Sequence, residues 1–116
     1  MNVLLLEDEP ELSAVAREQL ELRGHKVYPA DKVALAREIL TDEDVLIDVL
    51  IADQDVPDGF GARFAIEAKG MKPHIKVAVV SGRLSIDDIE ELEGHGIVYF
   101  GKPSLYASIV EDLLAN

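Results

Sequence analysis

The sequence predicts an α/β fold: one doubly wound parallel sheet with helices on both faces. Short apolar runs alternate with stretches in which apolar residues recur at helical spacing, as in successive βα units. Most of the apolar runs are continuous rather than alternating, which is typical of strands covered on both faces. The chain has 116 residues, which suits a single core, and we expect one domain over residues 1–116.

The first half of the chain predicts three strands and two helices. The strands are Asn2–Leu6, Lys26–Tyr28 and Val45–Ala52. The first helix begins at Glu9-Pro10-Glu11, because proline suits an early helical position and acidic residues suit the positive end of the helix dipole. Gly24 ends it. A second helix ends in a polar segment and is marked by Leu35, Ala36, Ile39 and Leu40.

The second half predicts three helices and two strands, which completes five βα units. The strands are Lys76–Val80 and Ile97–Phe100. The helices are Gly61–Lys69, Ser85–Glu93 and a last one over residues 105–114. We expect Gly70 to close the first of these helices, and Ser104 to be the N-cap of the last.

The composition excludes several classes of function. The 11 basic and 23 acidic residues give a formal net charge of −12, which repels nucleic acid and favours a cation or a basic partner surface. Cysteine is absent, so disulfides and thiolate metal sites are excluded. Neither a signal peptide nor an apolar run of membrane-spanning length is found. We expect a soluble, cytoplasmic protein with no membrane partner.

Polar residues follow four of the predicted strands, at the edge where open parallel sheets bind ligands. These residues are Glu7, Asp8, Asp53, Ser81 and Lys102. Taken singly, each has a simpler interpretation as a helix cap, a turn residue, a loop hydroxyl or a solvated lysine. Their shared edge favours a site instead. Asp58, in Pro57-Asp58-Gly59, is explained by turn chemistry.

The chemistry of this set points to phosphoryl transfer. Three crowded carboxylates repel one another, and Mg²⁺ suits a site with few carboxylates and several retained waters. Zinc and copper are poor candidates, because no cysteine exists and His25, His74 and His95 lie in turn or loop contexts. A metal, a lysine and a hydroxyl around an acceptor oxygen then make Asp53 a candidate carboxylate nucleophile.

Five motifs in order resemble the response regulator receiver domain, the CheY-like module of two-component signalling. They are LLLEDEP, DVLIAD, VPDGFG, VAVVSG and YFGKP, and they extend over essentially the whole chain. The resemblance implies a flavodoxin-like (βα)5 domain with strand order 2-1-3-4-5. It also implies a role in bacterial phosphorelay signal transduction.

The resemblance assigns roles at the metal and the acceptor. Asp53 would be the phosphoacceptor. Asp8 would bind Mg²⁺ directly, together with Asp53 and the main-chain carbonyl of Asp55, and Glu7 would act partly through water. Lys102 would pair with a phosphoryl oxygen, and its peptide bond to Pro103 is expected to be cis.

The resemblance also assigns switch and lifetime residues. Ser81 stands where threonine is commoner and would hydrogen-bond the phosphoryl group, and Tyr99 matches an aromatic residue that moves inward on activation. Asp55 and Arg83 occupy positions that tune the lifetime of the phosphoryl group. We hypothesise that these two side chains pair across the mouth of the pocket and hinder attacking water.

The resemblance implies a partner on each side of the reaction. The phosphoryl donor would be a histidine kinase or a histidine phosphotransfer protein. A downstream protein would read the face made by the fourth helix, the fifth strand and the fifth helix, and a phosphorylation-dependent homodimer is a further option. Because the chain ends at Asn116, we expect a stand-alone receiver that catalyses only its own phosphorylation and dephosphorylation.

Other functions remain open at this point. The domain could serve a hybrid kinase as a phosphate relay or sink, or it could be a binding module that needs no phosphorylation. A Mg²⁺-dependent phosphohydrolase is disfavoured because short loops leave little room for a cap. A nucleotide-binding domain is weaker still, since no glycine-rich loop follows the first strand.

Overall fold

The computed structural model describes residues 1–115. The first half of the chain forms β1 (Asn2–Leu6), α1 (Pro10–Leu22), β2 (Lys26–Ala30), α2 (Val33–Thr41) and β3 (Val49–Asp53). A small hairpin follows, made of β4 (Asp55–Val56) and β5 (Gly59–Phe60). The second half forms α3 (Gly61–Met71), β6 (Lys76–Ser81), α4 (Ile86–Gly94), β7 (Val98–Gly101) and α5 (Tyr106–Leu114).

The main sheet is parallel and has the order β2-β1-β3-β6-β7. With the hairpin strands left out of the count, this is the predicted order 2-1-3-4-5, so the predicted fold class and topology are confirmed. The hairpin is antiparallel and pairs Asp55 with Phe60. Because all five main strands run the same way, their carboxyl ends share one edge.

Alternate residues of each strand pack against opposite layers of helices, as strand geometry requires. On one face, Leu4, Leu50 and Val77 pack in a core cluster with apolar residues of α2, α3 and α4. On the other face, Leu5 and Ile51 pack with apolar residues of α1 and α5. Both faces are therefore buried, which explains the continuous apolar runs of the central strands.

The predicted strand Val45–Ala52 is wrong at its start, because β3 begins only at Val49. The preceding residues are irregular and are bound by contacts with Asn2. The Asn2 side-chain amide donates to the Leu46 carbonyl at 2.7 Å, and the Asn2 backbone N–H donates to Asp48 Oδ2 at 2.7 Å. Ile47 is nevertheless buried in the core. The segment therefore contains apolar residues, and these are typical of a strand.

Two predicted elements are longer in the structure. β2 continues past Tyr28 to Ala30, and it tolerates Pro29 because it is an edge strand. α3 runs through Gly70 to Met71, since Gly70 lies in the last turn, where a helix tolerates it at modest cost.

The predicted N-cap of the last helix is also wrong. The Ser104 hydroxyl donates to the carbonyl of Gly101 instead of binding the helix, and α5 begins at Tyr106 after Leu105.

Within residues 1–115, no helix is both long and apolar enough to cross a membrane.

Candidate functional site

Three carboxylates meet at the carboxyl edge of the sheet. Glu7 and Asp8 follow β1, and Asp53 is the last residue of β3. One carboxylate oxygen from each lies within 4.8 Å of the others. Glu7 is 3% exposed and Asp53 8% exposed, so two of the three charges are largely withdrawn from water. The sequence predicted this cluster, and the structure brings it together.

Lys102 supplies the cation of the site. Its Nζ lies 2.8 Å from Asp53 Oδ1 and 3.7 Å from Glu7 Oε2. The residue follows β7, and its peptide bond to Pro103 is cis. One ammonium cannot neutralise three carboxylates, so the site retains an excess of negative charge.

The pKa values of the two buried carboxyls are raised mainly by burial, and neighbouring carboxylates add to the rise. Burial raises the pKa of Asp53, and the hydrogen bond and charge of Lys102 oppose that rise. The pKa of Glu7 is raised by burial first and by the charge of Asp53 second. Both carboxylates would be stabilised by further positive charge. An all-oxygen donor set of this kind fits Mg²⁺ or another cation that prefers oxygen ligands.

Ser81 and Tyr99 are linked through the end of β6. Ser81 is buried, and its hydroxyl donates to the Arg83 carbonyl at 3.1 Å while it accepts from the Arg83 backbone N–H at 3.2 Å. The Ser81 carbonyl accepts two hydrogen bonds, from the Tyr99 hydroxyl at 2.9 Å and from the Lys102 backbone N–H at 3.0 Å. A displacement of the Ser81 carbonyl would therefore also displace the segment that carries Tyr99 and Lys102.

The hypothesised pair of Asp55 and Arg83 is not formed. Within residues 1–115, no ion pair joins the two side chains, and both are exposed. Exposed charges gain little from pairing, because solvent screens them and each side chain loses rotamer freedom. Their assignment to phosphoryl lifetime stays a prediction.

Sequence reasoning missed two residues that hold the segment after Asp53. A Cβ atom at Gly61 would lie 1.8 Å from the main-chain oxygen of Asp53, so only glycine fits beside the Asp53 backbone. The Gln54 side-chain carbonyl accepts the Ala62 N–H at 2.8 Å at the start of α3. The sequence signal available for Gly61 was its place at the end of a turn segment, as the first residue of a predicted helix.

Tyr106 was also missed. It is 7% exposed, and its pKa is raised by burial and then by the charge of Glu7. The phenol therefore belongs to the electrostatic surroundings of the site. Its place at the start of α5, four residues past Lys102, was the only hint in the sequence.

Comparisons with known proteins identify the family and the fold of the chain. The family model described as "Response regulator receiver domain" matches residues 3–112. No curated protein sequence matched the chain.

Solved structures of receiver domains have the same fold. A CheY-like receiver domain protein from Methanospirillum hungatei JF-1 is 20% identical, with a TM-score of 0.87 over 98% of this chain and 90% of that chain. A receiver domain protein from Clostridium thermocellum is 24% identical, with a TM-score of 0.87 over 98% and 91% of the two chains.

A third solved structure differs in length and in what it contains. A response regulator protein from Burkholderia pseudomallei, described with a phosphorylated aspartic acid, a calcium ion and citrate, is 22% identical with a TM-score of 0.86. The match covers 97% of this chain and 65% of that one. At these identities, the structural likeness establishes the fold alone.

Proposed function

The chain belongs to the response regulator receiver domain family, and we propose that it is a switch that accepts a phosphoryl group on Asp53. The observation that carries this proposal is the meeting of three carboxylates and one ammonium at the carboxyl edge of the sheet. Lys102 Nζ lies 2.8 Å from Asp53 Oδ1, and oxygens of Glu7 and Asp8 complete the cluster. The phosphoryl donor is a histidine kinase or a histidine phosphotransfer protein.

The transfer forms one bond and breaks one bond. A carboxylate oxygen of Asp53 attacks the phosphorus of a phosphohistidine, the nitrogen–phosphorus bond breaks, and the released imidazole takes up a proton from solvent. Glu7, Asp8, Asp53 and the main-chain carbonyl of Asp55 would hold Mg²⁺, partly through water at Glu7. When bound, the metal supplies positive charge beside the phosphoryl oxygens. Lys102 favours the ionised form of Asp53 and then pairs with a phosphoryl oxygen.

The switch acts through Ser81. The phosphoryl group carries about −1.5 to −2 charges, which replace the single negative charge of the Asp53 carboxylate, and the Ser81 hydroxyl exchanges its bonds to Arg83 for one to the phosphoryl group. Because the Ser81 carbonyl holds the Tyr99 hydroxyl and the Lys102 N–H, this exchange moves β7. Contacts made in only one state are what shift a two-state equilibrium. Arg83 and Asp55, which are both exposed, tune how long the phosphoryl group lasts.

The output is a protein–protein contact through the face of α4, β7 and α5. Ile86 is 74% exposed and Val98 38% exposed on this face. The exposed apolar residues favour a protein partner. The acidic residues of α4 favour a basic surface on that cytoplasmic partner, and they disfavour direct binding of nucleic acid. Residues 1–116 act as one receiver domain that is catalytic only on itself. The acidic residues of α4 that face solvent are Asp87, Asp88, Glu90, Glu91 and Glu93.

The test is intact mass spectrometry after incubation with acetyl phosphate. We expect a single phosphoryl adduct that needs Mg²⁺, disappears with chelator and is absent from Asp53→Asn. The Burkholderia structure described with a phosphorylated aspartic acid and a calcium ion supports this expectation. Beryllofluoride, which mimics the phosphoryl group without turnover, controls for rapid hydrolysis. The absence of both an adduct and a beryllofluoride-induced spectral change would overturn the proposal that the chain is a phosphorylation switch.

A further inference from the structure

The turn of the β4–β5 hairpin is bound to a helix that is distant in sequence. Both carboxylate oxygens of Asp58 accept backbone N–H groups at the start of α2. Oδ1 accepts from Val33 at 2.6 Å, and Oδ2 accepts from Ala34 at 2.9 Å. These N–H groups have no partner inside the helix. The two bonds hold the pKa of Asp58 below its usual value, which is typical of charge-assisted hydrogen bonds.

At its two ends the hairpin is closed by a hydrogen bond from the Gly61 N–H to the Gln54 carbonyl at 2.8 Å, and within residues 1–115 its turn has few attachments other than Asp58. Each of its strands has two residues, with Asp55 opposite Phe60 and Val56 opposite Gly59. Val56 packs in the core cluster that contains Val33, whereas the side chains of Asp55 and Phe60 are exposed. A two-stranded ribbon is marginal by itself. The Asp58 anchor therefore adds to the burial of Val56 in holding the hairpin beside Asp53.

We propose that Asp58 is a positioning residue for the metal site: it holds the hairpin on α2 so that the Asp55 main chain stays beside Asp53. This inference rests on the proposed function, in which the Asp55 carbonyl is a metal ligand. Without the anchor, Mg²⁺ binding must also order the hairpin, and the entropy cost of that ordering reduces the affinity for Mg²⁺. Removal of groups that orient metal ligands costs about 10-fold in affinity at the low end of the usual range. We expect about that loss of Mg²⁺ affinity in Asp58→Ala.

Asp58 could instead do no more than cap α2, and the structure offers a variant that separates the two roles. Lys32 occupies the N-cap position of α2, and its side chain makes no capping bond. Serine at this position would cap the helix from within. The double variant Lys32→Ser/Asp58→Ala thus restores a cap without restoring the anchor. It also preserves the net charge, since one cation and one anion are removed together.

The experiment measures Mg²⁺ affinity by isothermal titration calorimetry and stability by urea unfolding in chelator. The proteins are the wild type, Asp58→Ala, the double variant and Asp42→Ala. The last is a matched control, because the Asp42 carboxylate accepts the Asp44 N–H at 2.9 Å at the other end of α2. We expect the double variant to regain stability but not Mg²⁺ affinity, and Asp42→Ala to keep wild-type affinity.

Each other outcome overturns something specific. If the double variant recovers wild-type Mg²⁺ affinity, or if Asp58→Ala never loses it, Asp58 caps the helix and does not position the site. If the wild type binds no Mg²⁺, the proposed function fails together with this inference.

A milder variant covers the case in which Asp58→Ala does not fold. Asp58→Asn keeps one side-chain carbonyl that can accept from the start of α2, and it loses the second acceptor and the charge. We expect its Mg²⁺ affinity to lie between that of the wild type and the loss expected for full removal of the anchor. A wild-type affinity in Asp58→Asn would overturn the inference.

Discussion

At the residue scale, Gly61 marks the tightest backbone approach of the site. Its φ angle lies outside the left-handed region, so the need for glycine comes from space rather than from backbone conformation. A Cβ atom at this position would meet the carbonyl oxygen and carbon of Asp53 at 1.8 and 2.7 Å. Backbone atoms cannot turn aside as a flexible side chain does. Any larger residue must therefore displace the backbone at Asp53 or the start of α3.

We expect Gly61→Ala to lower the free energy of unfolding by about 1–3 kcal/mol, the usual cost of overpacking. Gly70→Ala is the matched control in the same helix, because a Cβ atom there meets nothing within 4 Å. It should be neutral or raise stability by up to about 1 kcal/mol. Urea unfolding of both variants makes the comparison, and equal stabilities would contradict the steric argument.

At the scale of elements, the helices of this fold are capped largely by side chains from elsewhere. α4 has a local cap, since Ser85 Oγ accepts the Asp88 N–H at 3.1 Å. The first turns of α2, α3 and α5 are instead bound by Asp58, Gln54 and Gln19, which belong to other parts of the chain. Each such bond both satisfies a helix terminus and joins two segments.

Gln19 provides a test of this arrangement, because its Oε1 accepts the Tyr106 N–H at 2.9 Å. Gln19→Met keeps the length of the side chain and removes the acceptor. We expect it to cost about 1 kcal/mol of stability and to speed hydrogen exchange of the Tyr106 amide. Ser104→Ala should leave that amide protected, since Ser104 does not cap α5. The reverse pattern of protection would show that Ser104, as the sequence suggested, is the cap.

At the scale of the whole molecule, folding gathers negative charge that the unfolded chain keeps apart. Burial and the charge of Asp53 raise the pKa of Glu7. A carboxyl group whose pKa is raised by folding binds protons more tightly in the folded state. Its contribution to stability is therefore full at low pH and is lost as pH rises through the raised pKa.

We expect Glu7→Gln to be more stable than the wild type in chelator, by a difference that grows as the pH rises above about 4, where a glutamic acid of the unfolded chain ionises. Glutamine removes the charge and retains the oxygen that accepts the Glu9 N–H. Urea unfolding across this pH range measures the difference, and added Mg²⁺ should reduce it. Glu18→Gln removes the same charge from the exposed side of α1 and is the matched control for the change in net charge. A Glu7→Gln difference that shrinks with rising pH would refute the assignment.

The sequence by itself determined the fold class, the order of elements and the membership of the charged cluster. The apolar strands set which segments are buried on both faces, and parallel strands place their carboxyl ends on one edge. Glu7, Asp53 and Lys102 therefore had to converge, wherever the exact strand boundaries lay. A boundary error of a few residues, as at the start of β3, left that convergence unchanged.

Only the tertiary structure decided the contacts between residues far apart in the chain. The anchoring of the hairpin to α2 by Asp58, the capping of α5 by Gln19 and the steric need for Gly61 all depend on how elements dock. Local rules for turns and caps cannot reveal such contacts, because the partner atoms are brought together by packing. The sequence therefore specified which groups form the site, whereas the packing of distant elements decided how firmly they are held.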